Sequence, residues 1–210
     1  MLDPLKTDAD GKLSDADART IGAAAKGCKT VSFPTESSYA LGSTGLIKAA
    51  TRRLLQIKER STLKPLPVMV HSVEEAKKWV EWTPLAEILA AKFWPGPVAL
   101  LLKPTAQGRL LTFPEYPNVA IRVPSHPAAL AILAASGVPW VYTSANKSGQ
   151  PPLTEAAGVA TVLGAELDFM VDGGPLPGGE ATIVDATGVK PRVTKPGMVP
   201  ADKIMEAAAA

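Results

Sequence analysis

Short apolar runs of strand length alternate with helix-like stretches along most of the 210-residue chain. Strands are predicted at 30–33, 67–71, 98–102, 119–123, 140–142, 167–171, 182–184 and 191–193. Helices are predicted at about 14–26, 48–59, 72–82, 84–93, 127–136 and 154–163, with a further, frayed one in the alanine-rich tail from Ala201. This alternation is typical of α/β proteins, in which helices cover a central sheet. The short spacing of the last two runs indicates a hairpin, so the sheet is expected to be mixed.

Typical helix-boundary residues stand at the edges of these stretches. Ser14 and Asp17 have the spacing of a capping box, and Gly27 follows as a stop signal. Ser72 precedes the third predicted helix, and Pro84 occupies the first position of the fourth. These signals support the predicted helix ends independently of the apolar pattern.

Domain organisation is predicted to be simple. We find no internal repeat and no linker long enough to divide the chain. An apolar fraction of 46% and a charged fraction of 20% are those of an ordinary globular protein, and this length can bury a substantial core. We therefore predict a single domain over 1–210, with its core at about 12–199 and peripheral termini. Its sheet is expected to be twisted, mixed and mostly central, with flanking helices.

Composition disfavours several functional classes. A net charge of only +2 is unlike the global polycation that drives non-specific nucleic-acid binding. The single cysteine, Cys28, rules out an internal disulfide framework and a cysteine zinc site.

No membrane or secretory segment is predicted. The N-terminus is charged and has no apolar signal region. The stretch 123–146 has no Asp, Glu, Lys or Arg, but prolines and a glycine interrupt it at Pro124, Pro127, Gly137 and Pro139. The cytoplasm is the simplest expected location.

Three polar segments stand out, at 34–39, 58–60 and 143–149. Each follows a predicted strand or helix, where side chains can leave the core and face a ligand. Together they offer two cations, several hydroxyls, an amide and glycine-flanked backbone. This set of groups suits an anionic, phosphate-bearing ligand better than a metal or an apolar one.

Each segment also has a structural interpretation. The hydroxyls at 35–38 can cap a turn, and Lys58 and Arg60, both expected to face solvent, can complement the negative end of a helix. Arg122 in an apolar strand is costly unless it is ion-paired with an acidic residue or bound to a ligand. A solitary His71 is more often a hydrogen-bonded structural residue than a ligand.

The segments 143–149 and 172–181 leave alternatives open. The segment 143–149 resembles a phosphate-binding nest, although it lacks the spacing of a P-loop or of a dinucleotide-binding fingerprint. No nucleophile elbow is present for a serine hydrolase. The turn-rich segment 172–181 is either an ordinary surface loop or a mobile flap over a ligand.

In order and spacing, these segments resemble the YrdC family of threonylcarbamoyl-AMP synthases from about Lys12 to Val199. The matching patterns are Pro-Thr-Glu-x-x-Tyr-x-Leu-Gly at 34–42, Lys-x-Arg at 58–60, Lys-Pro-Leu at 64–66, Arg-x-Pro at 122–124, Thr-Ser-Ala-Asn-x-Ser-Gly at 143–149, Asp-Gly-Gly at 172–174, Ala-Thr-Ile-Val-Asp at 181–185 and Pro-Gly at 196–197. The resemblance implies a YrdC-like open α/β fold with a concave cleft, and a single-domain enzyme.

The resemblance also implies a reaction. L-Threonine, bicarbonate or CO2, and ATP would form threonylcarbamoyl-adenylate and pyrophosphate, so the chain would be a nucleotidyltransferase. Mg²⁺ would arrive on ATP without a protein metal cage. Downstream proteins would then modify adenosine 37 of tRNA, and direct contact of this chain with tRNA is a further expectation.

Site residues follow from the same resemblance. Lys58 and Arg60 would be catalytic, neutralising the triphosphate and the threonine carboxylate. Threonine would be held by Thr35, Tyr39, His71 and Thr182. Nucleotide would be bound by Lys58, Arg122, Ser144, Asn146 and Lys195. The chain departs from the usual family residues at Ser38, Ala40, Ser61, Ala181 and Lys195.

Two other functions remain open at the sequence level. One is an RNA- or ribosome-binding module, which the near-neutral charge and the scarcity of aromatic residues disfavour. The other is a diverged AMP-binding paralogue without synthase activity.

Overall fold

The computed structural model describes residues 3–59 and 65–209, and these residues confirm the predicted α/β class. Within those ranges there are ten strands, namely β1 (Leu5–Lys6), β2 (Val31–Pro34), β3 (Tyr39–Thr44), β4 (Val68–Met69), β5 (Val98–Leu102), β6 (Val119–Arg122), β7 (Trp140–Ser144), β8 (Phe169–Asp172), β9 (Thr182–Asp185) and β10 (Arg192–Lys195). The same ranges contain seven α-helices, namely α1 (Asp15–Lys26), α2 (Lys48–Ile57), α3 (Val73–Trp79), α4 (Pro84–Phe93), α5 (Pro127–Ser136), α6 (Ala156–Leu163) and α7 (Ala201–Ala209).

The strands form one mixed sheet in the order β1-β8-β2-β3-β7-β4-β6-β5-β9-β10. Parallel pairs are β1–β8, β2–β8, β4–β6 and β5–β9. Antiparallel pairs are β2–β3, β3–β7, β4–β7, β5–β6 and β9–β10. The mixed sheet and the predicted hairpin at its β9–β10 end are therefore confirmed.

Helices cover the sheet on two sides, because alternate residues of a strand point to opposite faces. In β7, Trp140 and Tyr142 join the apolar cluster under α1 and α5, whereas Val141 joins the larger cluster under the other helices. α1 and α5 approach closely at Gly22, where an added Cβ would lie 2.8 Å from the backbone nitrogen of Ser136. None of the described helices is long and apolar enough to cross a membrane.

The predicted helix starts are confirmed by their hydrogen bonds. The Ser14 hydroxyl accepts from the Asp17 backbone N–H at 3.1 Å, and Ser72 caps α3 in the same way. Pro84 is the first residue of α4. The predicted end of α3 at residue 82 is wrong, because Val80 is already extended and forms an isolated bridge with Pro104.

A central strand, β3, was not predicted from the sequence. Its six residues, Tyr39–Thr44, are small or polar for a strand, yet all are buried between β2 and β7. Gly42 has no room for a side chain, because an added Cβ would lie 2.8 Å from the Phe33 ring and 3.0 Å from the Trp140 ring. The predicted strand at 67–71 is confirmed only at Val68–Met69.

Candidate active site

A small cleft of about 140 Å³ opens beside the central strands. Its walls come from the β2–β3 turn, from β6 and β7, from the residues before β4, and from 180–195. The polar residues that line it are Thr35, Ser37, Ser38, Tyr39, Arg122, Tyr142, Thr143, Ser144, Glu180 and Lys195. The fold thus brings the segments 34–39 and 143–149 together around one space.

Hydroxyl groups of the β2–β3 turn form one wall. The Thr35 hydroxyl donates to the Ser38 carbonyl oxygen at 2.7 Å and accepts from the backbone N–H groups of Ser37 and Ser38. Its oxygen lies 3.1 Å from the Ser37 hydroxyl. Thr35 therefore caps its own turn while it lines the cleft, so the two sequence interpretations are compatible here.

Lys58 ends α2 and is buried, with 3% of its surface exposed. Its ammonium group donates to the Ser144 carbonyl oxygen at 2.8 Å and also to the side-chain oxygen of Asn146. The expectation that Lys58 faces solvent is therefore wrong, because the turn after β7 covers it. Arg60 lies outside the described residues, and its role stays a prediction.

The turn after β7 is tied to Lys58 at several points. The Ser144 hydroxyl donates to the Asn146 side-chain oxygen at 2.8 Å, and the Asn146 amide donates to the Gln150 carbonyl oxygen. The Ser148 backbone N–H donates to the Lys58 carbonyl oxygen at 3.2 Å. Ser144 faces the cleft, with Asn146 and Lys58 behind it, so this wall combines a hydroxyl with a buried positive charge.

Arg122 lies in the cleft wall and is 2% exposed. Its Nη1 donates to the Glu36 carboxylate, and its Nε donates to the Tyr142 hydroxyl at 2.8 Å. Burial alone would raise the pKa of Glu36, but the Arg122 charge and hydrogen bonds hold that pKa below its ordinary value of 4.5. The expected ion pair with an acidic residue is thus present, and the same Arg122 borders the cleft.

Of the other predicted site residues that the structure describes, Lys195 lines the cleft, whereas Thr182 and His71 do not. Lys195 lines the cleft and pairs with Glu180 at 2.8 Å. The Thr182 hydroxyl donates to the Val199 carbonyl oxygen at 2.8 Å, and the neighbours of Thr182 line the cleft in its place. His71 is not among the cleft-lining residues of the described ranges, and it lies close enough to Glu75 for an electrostatic interaction.

The Tyr39 hydroxyl is engaged by backbone of the segment after β8. It donates to the Gly174 carbonyl oxygen at 2.8 Å and accepts from the Gly173 N–H at 3.0 Å. Burial raises the pKa of Tyr39 to about 12, so the group stays protonated at neutral pH. Tyr39 therefore shapes the cleft with its ring and holds the next segment with its hydroxyl.

The turn-rich segment at 173–181 passes along the cleft. The Gly178 N–H donates to the Ser37 carbonyl oxygen at 2.7 Å, and the Leu176 N–H donates to the Thr154 carbonyl oxygen at 2.9 Å. The Glu180 carbonyl oxygen accepts from the Met198 N–H at 2.9 Å. Glu180 borders the cleft. Movement of the segment as a flap over a ligand stays a prediction.

Sequence reasoning assigned no role to Tyr142 and Glu180, which line the cleft, or to Glu36, which pairs with Arg122 in its wall. A signal for Glu36 existed, since it is the acidic residue of the hydroxyl-rich segment and Arg122 required an acidic partner. Tyr142 and Glu180 gave no comparable signal, because only the folded chain brings them to Arg122 and Lys195.

The donor set determines which ligands fit. In the parts of the chain that the structure describes, no three or more His, Cys, Asp or Glu residues come together as a metal site. Hydroxyls, an arginine and lysines around a small cleft suit an anionic ligand. The fold and the cleft together define an α/β protein with a cleft beside its mixed sheet, lined by groups that suit an anion.

The family assignment follows from sequence similarity. Residues 24–197 match the family model Sua5_yciO_yrdC, described as telomere recombination. The chain therefore belongs to the Sua5/YciO/YrdC family, in agreement with the resemblance of its motifs.

Relatives with assigned functions are similar over most of this chain. The threonylcarbamoyl-AMP synthase of Pyrococcus abyssi is 36% identical over 179 residues, which are 84% of this chain and 52% of that protein. The enzyme of the same name from Xanthomonas oryzae is 36% identical over 148 residues, which are 68% of this chain and 78% of that protein. The chain thus spans about half the length of the Pyrococcus protein.

Solved structures confirm the fold. Pyrococcus abyssi Sua5 complexed with L-threonine has a TM-score of 0.89 at 31% identity, covering 99% of this chain and 60% of that one. Escherichia coli YciO has a TM-score of 0.88 at 24% identity, covering 98% of this chain and all of that one. The predicted YrdC-like α/β fold is therefore confirmed.

Proposed function

We propose that this chain synthesises L-threonylcarbamoyladenylate from L-threonine, bicarbonate or CO2, and ATP, with release of pyrophosphate. The observation that carries the proposal is the convergence of the Thr35–Tyr39 turn, Arg122 and the Ser144–Asn146 turn around one cleft, with Lys58 behind it. The names of the relatives support the same reaction.

The chemistry requires positioning and charge compensation more than a protein nucleophile. The neutral threonine amine attacks the carbon of CO2 and loses a proton, which gives a carbamate. A carbamate oxygen then attacks the α-phosphorus of ATP, and the bond from that phosphorus to the bridging oxygen breaks as pyrophosphate leaves. Negative charge on the phosphates and on the amino-acid carboxylate must be compensated throughout.

The cleft offers groups for both substrates. Lys58, Arg122 and Lys195 would compensate the phosphates together with Ser144 and Asn146. Thr35 would contact threonine, and Arg60 would complete the pair of catalytic cations.

Three further residues are proposed to form the threonine side of the cleft. The hydroxyls of Tyr39 and Thr182 already bond to backbone, so in this proposal both residues shape the cleft. His71 would have to approach from outside the cleft lining to take part.

Mg²⁺ fits this arrangement when it arrives on ATP. The cleft-lining residues supply hydroxyls and cations. Among the described lining residues, Glu180 is the one carboxylate, and it is paired with Lys195. When bound, Mg²⁺ would screen the triphosphate charge. The protein side chains, Ser144 among them, would hold the phosphates.

The proposal includes a cellular context. The unit that carries the activity would be a single domain over 1–210 with its core at about 12–199. Its product would pass to threonylcarbamoyl-transfer proteins that modify position 37 of tRNA in the cytoplasm, with direct tRNA contact as a further feature. An RNA- or ribosome-binding module and an AMP-binding paralogue are not favoured, because the curated relatives are named as synthases.

A pyrophosphate-release assay tests the proposal. Purified protein with ATP, Mg²⁺, bicarbonate and L-threonine should release pyrophosphate, and omission of threonine should stop the release. Release that is independent of threonine would contradict the proposal. Nucleotide binding without release would indicate the AMP-binding paralogue, and salt-dependent tRNA binding without chemistry would indicate the RNA-binding module.

A further inference from the structure

We propose that Glu36 is a positioning residue, which holds the Arg122 guanidinium and the hydroxyl-bearing β2–β3 turn in one fixed arrangement at the cleft. Its kinetic consequences rest on the proposed function, whereas its structural consequences do not. Glu36 would not touch the reacting atoms but would act through Arg122.

The first observation is the way Arg122 is held. Its Nη1 donates to Glu36 and lies 3.4 Å from the Gly96 carbonyl oxygen, and its Nε donates to Tyr142. Among the described residues, its Nη2 has no hydrogen-bond partner, while the residue lines the cleft. Two sides of the guanidinium are therefore fixed by protein, and the third has donors left for a ligand.

The second observation is the position of Glu36 between three segments. One carboxylate oxygen accepts from Arg122 on β6, and the other accepts from the Ser125 backbone N–H at 3.1 Å, just before α5. The backbone of Glu36 belongs to the turn that carries Thr35 and Ser37. Since the Glu36 side chain is only 14% exposed, this carboxylate links the Arg122 wall of the cleft to the hydroxyl wall of the β2–β3 turn within the protein interior.

The charges of Glu36 and Arg122 distinguish a positioning role of Glu36 from a purely electrostatic one. With both groups ionised, Glu36 and Arg122 form a pair without net charge, so Arg122 offers oriented N–H donors more than a free positive charge. Glu36→Gln would add one positive charge to the cleft. A purely electrostatic role therefore predicts that this variant binds anions more tightly, whereas a positioning role predicts that it loses catalysis.

The test compares Glu36→Gln with a matched control, Asp168→Asn. Asp168 is also a part-buried carboxylate, 20% exposed, which pairs with Lys29 at 3.1 Å and accepts from the Thr30 N–H at 2.8 Å, away from the cleft-lining residues. We expect kcat/KM for threonine-dependent pyrophosphate release to fall about hundredfold in Glu36→Gln, because catalytic groups are misplaced. The control should keep the kcat/KM of the unchanged protein, even though it also loses an ion pair.

A double-mutant cycle with Arg122→Lys shows whether Glu36 acts through Arg122. Glu36→Gln should cause no further loss of kcat/KM in the Arg122→Lys background. Full additivity of the two losses would overturn the proposal. If Glu36→Gln does not fold, Glu36→Asp carries the test, because it keeps the charge but draws the carboxylate back from Arg122; unchanged kcat/KM in that variant would also overturn the proposal.

A crystal structure of Glu36→Gln, or of Glu36→Asp, separates this proposal from the proposed function. A displaced Arg122 guanidinium supports positioning even when the unchanged protein releases no pyrophosphate, in which case only the proposed function fails. A guanidinium in its original place overturns positioning, even when the unchanged protein is an active synthase.

Discussion

Lys58 donates a hydrogen bond to the side-chain oxygen of Asn146, although the two residues are 88 positions apart in the chain. The same ammonium donates to the Ser144 carbonyl oxygen. A buried charge is costly unless hydrogen bonds compensate it, so the end of α2 and the turn after β7 stabilise each other. The lysine and the amide that the sequence placed in separate segments therefore form one structural unit.

Lys58→Ala is expected to reduce pyrophosphate release at least about hundredfold, because it removes a fixed cation next to the proposed phosphate site. The variant should also unfold at a lower temperature, since the Lys58 hydrogen bonds to the β7 turn are lost. Lys147→Ala is the matched control, because that lysine lies in the same turn and pairs with exposed Glu59 at 2.9 Å. Full activity of Lys58→Ala in the assay would show that our site assignment is wrong.

Glu180→Gln is expected to lower the KM for ATP by about two- to fivefold, because it releases Lys195 from a half-exposed ion pair of modest strength. The gain should shrink as salt is added, since exposed charges are screened. Steady-state kinetics at two ionic strengths measure both effects. Glu206→Gln breaks the similar Lys203–Glu206 pair on α7 and should leave the KM unchanged; a higher KM in Glu180→Gln would contradict the expectation.

Most of the fold was predictable because apolar runs and helix caps report local preferences. Strand β3 was not, since Tyr39–Thr44 has only one β-branched residue, Thr44, and contains Gly42. Its extended conformation depends on pairing with β2 and β7, and its glycine is required by two aromatic rings from other strands. Such tertiary requirements leave no periodic pattern in the sequence.

The segments that form the site could be predicted from the sequence, but the spatial arrangement of their side chains could not. A lysine at a helix end normally faces solvent, and the burial of Lys58 depends on a turn that follows β7. Arg122 was left with two alternatives, an ion pair or a place at the ligand site, and the structure shows the pair with Glu36 at the edge of the cleft. Which carboxylate would meet Arg122 could be decided only once the strand order was known.

Acid stability should depend on Asp168. Although burial alone would raise the pKa of its carboxyl, bonds from Thr30 and Lys29 hold it below the ordinary value of 3.8. A carboxyl with a lowered pKa in the folded state stabilises the protein fully above the unfolded-state pKa, and this stabilisation is lost as the pH falls through the folded-state pKa. Urea unfolding between about pH 5 and pH 2 should therefore show a shallower acid loss in Asp168→Asn than in the unchanged protein. Parallel curves would contradict this contribution.

Gly22→Ala should destabilise the protein by about 1–3 kcal/mol, because the added methyl group would press against the backbone of α5. The closest atom is the Ser136 backbone nitrogen at 2.8 Å, which cannot move away as a flexible side chain could. Gly188→Ala is the control, since no atom lies within 4 Å of its added Cβ. Equal unfolding free energies for the two variants in denaturant titrations would contradict the close packing of α1 on α5.

The segment at 173–181 has no helix or strand, yet its backbone is attached to its surroundings at several points along its length. Tyr39 holds Gly173 and Gly174, Ser37 holds Gly178, and Met198 holds Glu180. Movement of the segment as a flap would therefore have to break these hydrogen bonds. A ligand that binds with the segment in this conformation would not lose affinity to the entropy of arranging these residues.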